Sequence, residues 1–278
     1  MEIIMPVQEK KNAIYPVLIF KQAWRICWDN LSKLGVIYLI FNLPGVIISL
    51  LSTAKPVPGQ KTGLVVALGF LVTIVMSSWG YIALLLSANK ALDAQDYTIA
   101  QSISQTRVFL VKYLGLILSV ALFIMGIFIT GFASVMVTVV FLSKANAVLA
   151  TVICLVLIIA VIASLVFFLL RWSLSALVCV FEGSRPIPAL NGSFSLVKEH
   201  INPVVGVYVL MTLIYTITSV PAIIAMALSA VTVPVNQSSQ FAVTIYFILL
   251  NIIVVPFCST TTVVLYRKLK EAQAHVRA

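Results

Sequence analysis

Two histidines, four cysteines and eight acidic residues are the whole supply of imidazole, thiol and carboxylate side chains in this sequence. His200 and His275 both stand among charged and polar residues, away from the long apolar stretches, so neither supplies a buried base for a serine nucleophile, and no H-E-x-x-H zinc helix is present. Cys27, Cys154, Cys179 and Cys258 are scattered without a C-x-x-C pair, which gives no disulfide framework and no zinc pattern and leaves them as small apolar packing residues. Asp93 and Asp96 form the one acidic pair with metal-like spacing, able in principle to hold Mg²⁺ through waters and a phosphate. A lone D-x-x-D is a weak signal, and an Asp just before Tyr97 and Thr98 more often starts or caps a helix. Lys61 and Thr62 echo the end of a phosphate-binding loop but lack its preceding glycine. No catalytic constellation, no metal and no cofactor is expected.

The remaining candidates are neutral polar residues inside apolar stretches and a few charges at their borders. Asn42, Thr218 and Asn251 share their stretches with Pro44, Pro221 and Pro256. Prolines beside polar groups can unwind helices around a substrate cavity. They also occur as kinks whose freed carbonyls are satisfied by neighbouring hydroxyls. Arg171 and Glu182 are 11 residues apart, about three turns, so they share an angular position if one helix carries both. That separation exceeds a direct intrahelical pair, and each needs another partner: a helix end near Ser193, the basic end at Arg267, or a lipid phosphate. The alternative is that Arg171 snorkels to lipid phosphate while Glu182 caps a turn before Gly183.

The elements that must position these residues are membrane helices. Apolar residues make up 62% of the chain, charged residues 9%, and mean hydropathy is +1.13, far from the composition of a water-soluble domain. Six stretches, 34–51, 63–87, 113–142, 147–170, 204–228 and 241–266, hold no Asp, Glu, Lys or Arg. Roughly 20 apolar helical residues cross the hydrocarbon core, so an all-α, polytopic membrane fold with six transmembrane helices is predicted. Short connections at 52–62, 143–146 and 229–240 pair them as three hairpins. Of the 18 Lys and Arg, 15 border the other ends of the spans and only Lys55, Lys61 and Lys144 the short connections. The positive-inside rule then puts both termini in the cytoplasm. The apolar run begins too late and is too long for a cleaved secretion signal, so an uncleaved first span is expected. Basic residues that border spans do not form a nucleic-acid-binding face.

Each hairpin is preceded by a segment with helical apolar spacing: Phe20, Trp24, Cys27 and Leu31; Ile99, Ile103, Thr106 and Leu110; Leu190, Phe194, Val197 and Ile201. With Trp24 and Trp28 near an apolar face and basic residues beside it, the first suits the membrane interface as an amphipathic helix. Asp29 and Tyr38 match Glu199 and Tyr208 at an offset of 170, which suggests a repeated unit of amphipathic helix plus hairpin. The expected organisation is an N-terminal arm with an amphipathic helix (1–33), a six-helix membrane domain (34–266) and a basic tail (267–278).

The stretch RWSLSALVCVFEGSRPIPALNGSFSLVK, from Arg171 to Lys198, resembles a motif of bacterial six-span proteins: the membrane domain attached to some glycerophosphodiester phosphodiesterases, and its stand-alone relatives. Arg171, Ser175 with Ala176, Glu182 with Gly183, and then Ala189, Leu190, Ser193 and Phe194 fall at the motif's places, and the ending VVLYRKLKE resembles its closing span. Asn191-Gly192 departs from it and puts the start of the following helix in doubt. The resemblance implies a six-span fold in a bacterial inner membrane and nothing catalytic. The functional expectation is a non-enzymatic membrane module supporting envelope or lipid-linked processes, with membrane lipids and a membrane-protein partner or second copy as partners; the alternative is a permease for a small or lipidic solute.

Overall fold

The structure, a computed structural model, describes residues 14–53, 62–142, 146–232 and 237–277. Lys10, Lys11, Lys55, Lys61 and Lys144, five of the charges used above, lie outside these residues. The described residues are all-α: α1 (Pro16–Asp29), α2 (Leu31–Thr53), α3 (Thr62–Leu92), α4 (Ile99–Leu142), α5 (Ala147–Trp172), α6 (Ser175–Phe181), α7 (Pro186–Glu199), α8 (Ile201–Thr232) and α9 (Gln237–Arg277). Five of them, α3, α4, α5, α8 and α9, carry segments long and apolar enough to cross a membrane. The number rises to six only if α1 and α2, bent from each other by 80°, are counted together as one broken span. The chain thus has the helices of a multi-pass membrane protein, grouped in two compact units: residues 1–110 with 200–278, and residues 111–199.

In the first unit the bend between α1 and α2 has a local cause. Asn30 leaves the helical region, its side-chain Nδ2 donates to Ile26 O at 3.0 Å, and its own carbonyl accepts from Leu34 N at 3.0 Å. One residue therefore closes one helix and opens the next. Pro16 at the start of α1 has the φ that a first turn requires. The buried line of α1 is Ile19, Ala23 and Cys27. Cys27 belongs to the expected stripe, but Ile19 and Ala23 replace Phe20 and Trp24 on the buried line, and Trp24 lies half exposed on the flank.

The core of this unit combines Leu34, Ile37 and Phe41 of α2, residues 82–85 of α3 and the second half of α9. Four consecutive polar residues, Ser259 to Thr262, are buried there. Each donates its hydroxyl to the carbonyl four residues back, at 2.8 to 2.9 Å, so none is left unpaired in an apolar setting. The positions expected as a separate tail continue α9 without a break to Arg277, and Leu269 is fully buried.

The connection from α3 to α4 is fixed at both ends. Ala94 takes a left-handed φ of 51°, and Gln95 N donates to Lys90 O at 3.0 Å, so the helix ends in a Schellman turn. Thr98 and Gln101 cap α4 reciprocally, Thr98 N to Gln101 Oε1 and Gln101 N to Thr98 Oγ1, both 3.2 Å. The cap is Thr98 rather than the aspartates before it. Asp93 instead receives the Arg267 guanidinium in a two-pronged ion pair, with Nη2 to Oδ2 at 2.6 Å, while Arg267 Nε reaches Asn89 Oδ1 at 2.9 Å. The hydrogen bond from Arg267 holds the Asp93 carboxyl below its usual range. A carboxylate with a lowered pKa adds stability that is complete above the unfolded Asp value, about 3.9, and lost as pH falls through the folded value. Both side chains are about one third exposed, so Asp93→Asn should cost no more than about 1 kcal/mol. Unfolding midpoints of wild type and variant should differ at neutral pH and converge on acidification.

The second unit contains α4 from Val111, with α5, α6 and α7. No second amphipathic helix is set apart before α4, which runs unbroken for 44 residues because nothing in Leu110-Val111-Lys112-Tyr113 stops a helix. At the helix start the buried residues are Ser102 and Thr106 rather than Ile99 and Ile103. In α7 the expected Leu190 and Val197 are buried, with Ala189, Ser193 and Leu196. Gly192 lies inside α7, where a Cβ would come 3.1 Å from Val178 Cγ1, so the Asn191-Gly192 departure marks a close helix contact and not a helix start. Most of the α4 and α5 surface away from α6 and α7 is apolar and exposed.

Candidate functional site

Arg171 and Glu182 do not share a helix. The chain breaks after Trp172, and α6 restarts at Ser175 and ends at Glu182, whose backbone N–H donates to Val178 O at 3.1 Å. Ser193 holds the break: its hydroxyl donates to Arg171 O at 2.7 Å and accepts from Leu174 N at 3.2 Å. Ser193 thus meets the backbone of Arg171 and not its charged side chain. The guanidinium lies over two aromatic rings, Phe167 at 5.0 Å and Phe194 at 4.5 Å from the ring centroids. Its Nε and Nη1 are buried with no hydrogen-bond partner among the described residues. The cation at the C-terminal end of α6 is Lys112, whose Nζ donates to Gly183 O at 2.8 Å, at a glycine with φ 63°.

The polar residues proposed as a cavity lining donate their hydrogen bonds within their own helices. Asn42 Nδ2 donates to Tyr38 O at 2.9 Å, and its Oδ1 accepts from Ser77 at 3.3 Å. Asn251 Nδ2 donates to Phe247 O at 2.8 Å, and Thr218 Oγ1 to Ile214 O at 2.8 Å. Thr218 alone of the three borders a groove of the first unit, a space of about 640 Å³ that Trp24 also lines. Two candidates that the sequence treated separately, one as an interface residue and one as a cavity residue, thus face the same space.

That groove has α1 across its top and α8 and α9 as walls. From α1 come Val17, Phe20, Lys21 and Trp24; from α8, Ile214 and Thr218; from α9, Leu250, Ile253, Val254 and Phe257. Phe257 anchors α1, with ring centroids 5.5 Å from both Phe20 and Trp24, and Trp24 stacks on Trp28 at 5.5 Å. Tyr246, one turn before Leu250, donates its hydroxyl to Thr218 O at 2.8 Å and ties α8 to α9. Gly206 lets α8 approach α1: a Cβ there would come 2.7 Å from Pro16 Cγ. Sequence spacing revealed neither Lys21 as a lining residue nor Tyr246 as a tie, since the first joins segments about 200 residues apart and the second joins residues 28 positions apart on two helices.

One buried group outside the bilayer was also missed. Tyr97 packs beneath Lys33, whose Nζ lies 4.7 Å from the ring centroid, and burial pushes its phenol up to about 12. Its hydroxyl has no partner among the described residues. No group of three or more His, Cys, Asp or Glu side chains among the described residues could hold a metal ion.

Neither the curated proteins nor the solved structures contain a match to the chain. A family known only as a domain of unknown function, DUF7847, matches residues 19–269, nearly the whole of the two units described above, and the chain belongs to it.

Proposed function

We propose that the chain is a non-enzymatic membrane module that supports envelope or lipid-linked processes through partners, seated in a bacterial inner membrane with both termini in the cytoplasm. The observation that carries this reading is how the polar groups of the apolar helices are used. Asn42, Thr218, Asn251 and the run from Ser259 to Thr262 each bond a carbonyl of their own helix, so these candidates do not turn their donors toward a solute or proton path. The permease alternative draws on one contrary feature, Thr218 at the groove, and would require substrate-dependent flux in reconstituted vesicles.

The orientation rests on the distribution of Lys and Arg, 15 against three. Internal repetition is part of the same proposal: α7 and α8 start at 186 and 201, each 170 residues after the starts of α1 and α2 at 16 and 31. The likeness to the phosphodiesterase-linked membrane domain is likewise a proposal of shared architecture. Single cysteines at Lys55, Ala145 and Gln237, in a chain without native cysteines, should label from outside intact cells. Those at Asp93, Ser184 and Gln273 should label only after permeabilisation, and outside labelling at Ser184 would reject the orientation.

A further inference from the structure

We infer that the groove under α1 takes one acyl chain of an anionic glycerophospholipid, with the lipid phosphate at Lys21. The inference rests on the membrane-module reading and names the ligand of its groove. Since α1 is bent 80° from α2, it lies close to the membrane plane when α2 crosses. Its stacked Trp24 and Trp28 suit the level of the headgroups.

Below α1 the walls are side chains of α8 and α9. From Leu250 to Phe257 the α9 wall rises through seven helical steps, or roughly 10 Å. The volume of about 640 Å³ is in the range of small-molecule sites. No polar group is offered to a polar solute within it: the Thr218 hydroxyl turns to Ile214 O and Tyr215 O, at 2.8 and 3.0 Å. The one charged residue in the lining is Lys21, at the α1 end. Lys21 makes no hydrogen bond or ion pair among the described residues, and Arg25 is exposed one turn further along α1. An elongated apolar slot with cations at its interfacial end complements a single lipid, tail inward and phosphate outward.

Selectivity must come from the head, because surrounding lipid tails are as apolar as the slot and give the chain no net hydrophobic gain. A Lys or Arg at an anionic surface is worth a factor of about five in affinity. The test uses the full chain in bilayers of equal parts phosphatidylglycerol and phosphatidylcholine, followed by native mass spectrometry. One retained phosphatidylglycerol is expected. Lys21→Gln should lower its preference over phosphatidylcholine about fivefold. Thr218→Trp, which fills the slot, should abolish retention, while Leu155→Trp on an exposed face of α5 should not.

A second measurement does not depend on the folding of the Thr218 variant. Phosphatidylglycerol brominated along its chains should quench wild-type tryptophan fluorescence more than brominated phosphatidylcholine does, and the difference should disappear in Trp24→Phe. Equal quenching by the two lipids, or retention unchanged by Thr218→Trp and Lys21→Gln, overturns the assignment. The cysteine-labelling pattern is independent of these readouts, so the lipid site and the orientation fail separately.

Discussion

Gly80→Val should destabilise the protein by about 3 kcal/mol, the upper part of the usual range for overpacking a tight site. A Cβ at Gly80 would fall 2.5 Å from Phe41 Cβ and 3.0 Å from Phe41 Cγ, so the clash is with atoms next to the α2 backbone and no rotamer of Phe41 relieves it. Phe41 is buried, and its ring packs against Trp79 at 5.7 Å between centroids. Trp79 in turn donates its indole N–H to Thr106, so the ring behind Phe41 is held as well. Accommodating the new side chain then means separating α2 from α3. Gly126 in α4 is the matched control, because a Cβ built there meets nothing within 4 Å. Thermal unfolding in detergent should show a much lower midpoint for Gly80→Val and a nearly unchanged one for Gly126→Val. Equal midpoints would mean that α2 and α3 are not held at the separation described.

The contrast between these two glycines marks what could be read from the sequence. Long runs without charge identify membrane helices directly, because the cost of burying Lys, Arg, Asp or Glu in hydrocarbon is large and one-dimensional. Helix breaks were less legible. Asn30 and His200 both interrupt helices, yet each follows an acidic residue with no glycine beside it to mark the stop; at Asn30 the break is made by a side-chain bond to Ile26 O. Periodicity also failed to pick the buried face of α1. In a helix with apolar residues on adjacent lines, a 3.6-residue period fits both Ile19-Ala23-Cys27 and Phe20-Trp24, and only the size of the neighbour decides. The burial of Ser102 was hidden for a related reason, since it is not apolar, whereas Thr106 already stood in the expected stripe. The groove was the least legible feature. Its walls come from α1, α8 and α9, and no local pattern records that Phe257 meets Trp24 or that Tyr246 reaches Thr218.

Ser193→Ala should be the second most damaging of the proposed substitutions, although it removes a single oxygen. Ser193 is fully buried, and its hydroxyl serves two backbone groups at the break between α5 and α6. Leu174 is also fully buried, so without that oxygen its N–H has no water to turn to. Leaving one such donor unpaired costs about 1 to 3 kcal/mol, and the carbonyl of Arg171 loses its donor as well. Removing the Arg171 charge is a different kind of change. Arg171→Met deletes two buried nitrogens that lack partners, and the lost attraction to Phe167 and Phe194 is offset by the relief of burying a cation. It should therefore be close to neutral for stability. Amide hydrogen exchange separates the two cases: Ser193→Ala should speed exchange at Leu174 and through the first turn of α6, whereas Arg171→Met should leave both near the wild-type rate. Asn191→Ala, on the exposed side of the same helix, provides the baseline. Exchange at Leu174 no faster in Ser193→Ala than in Asn191→Ala would show that packing alone holds the break, and the role assigned to the hydroxyl would have to be given up.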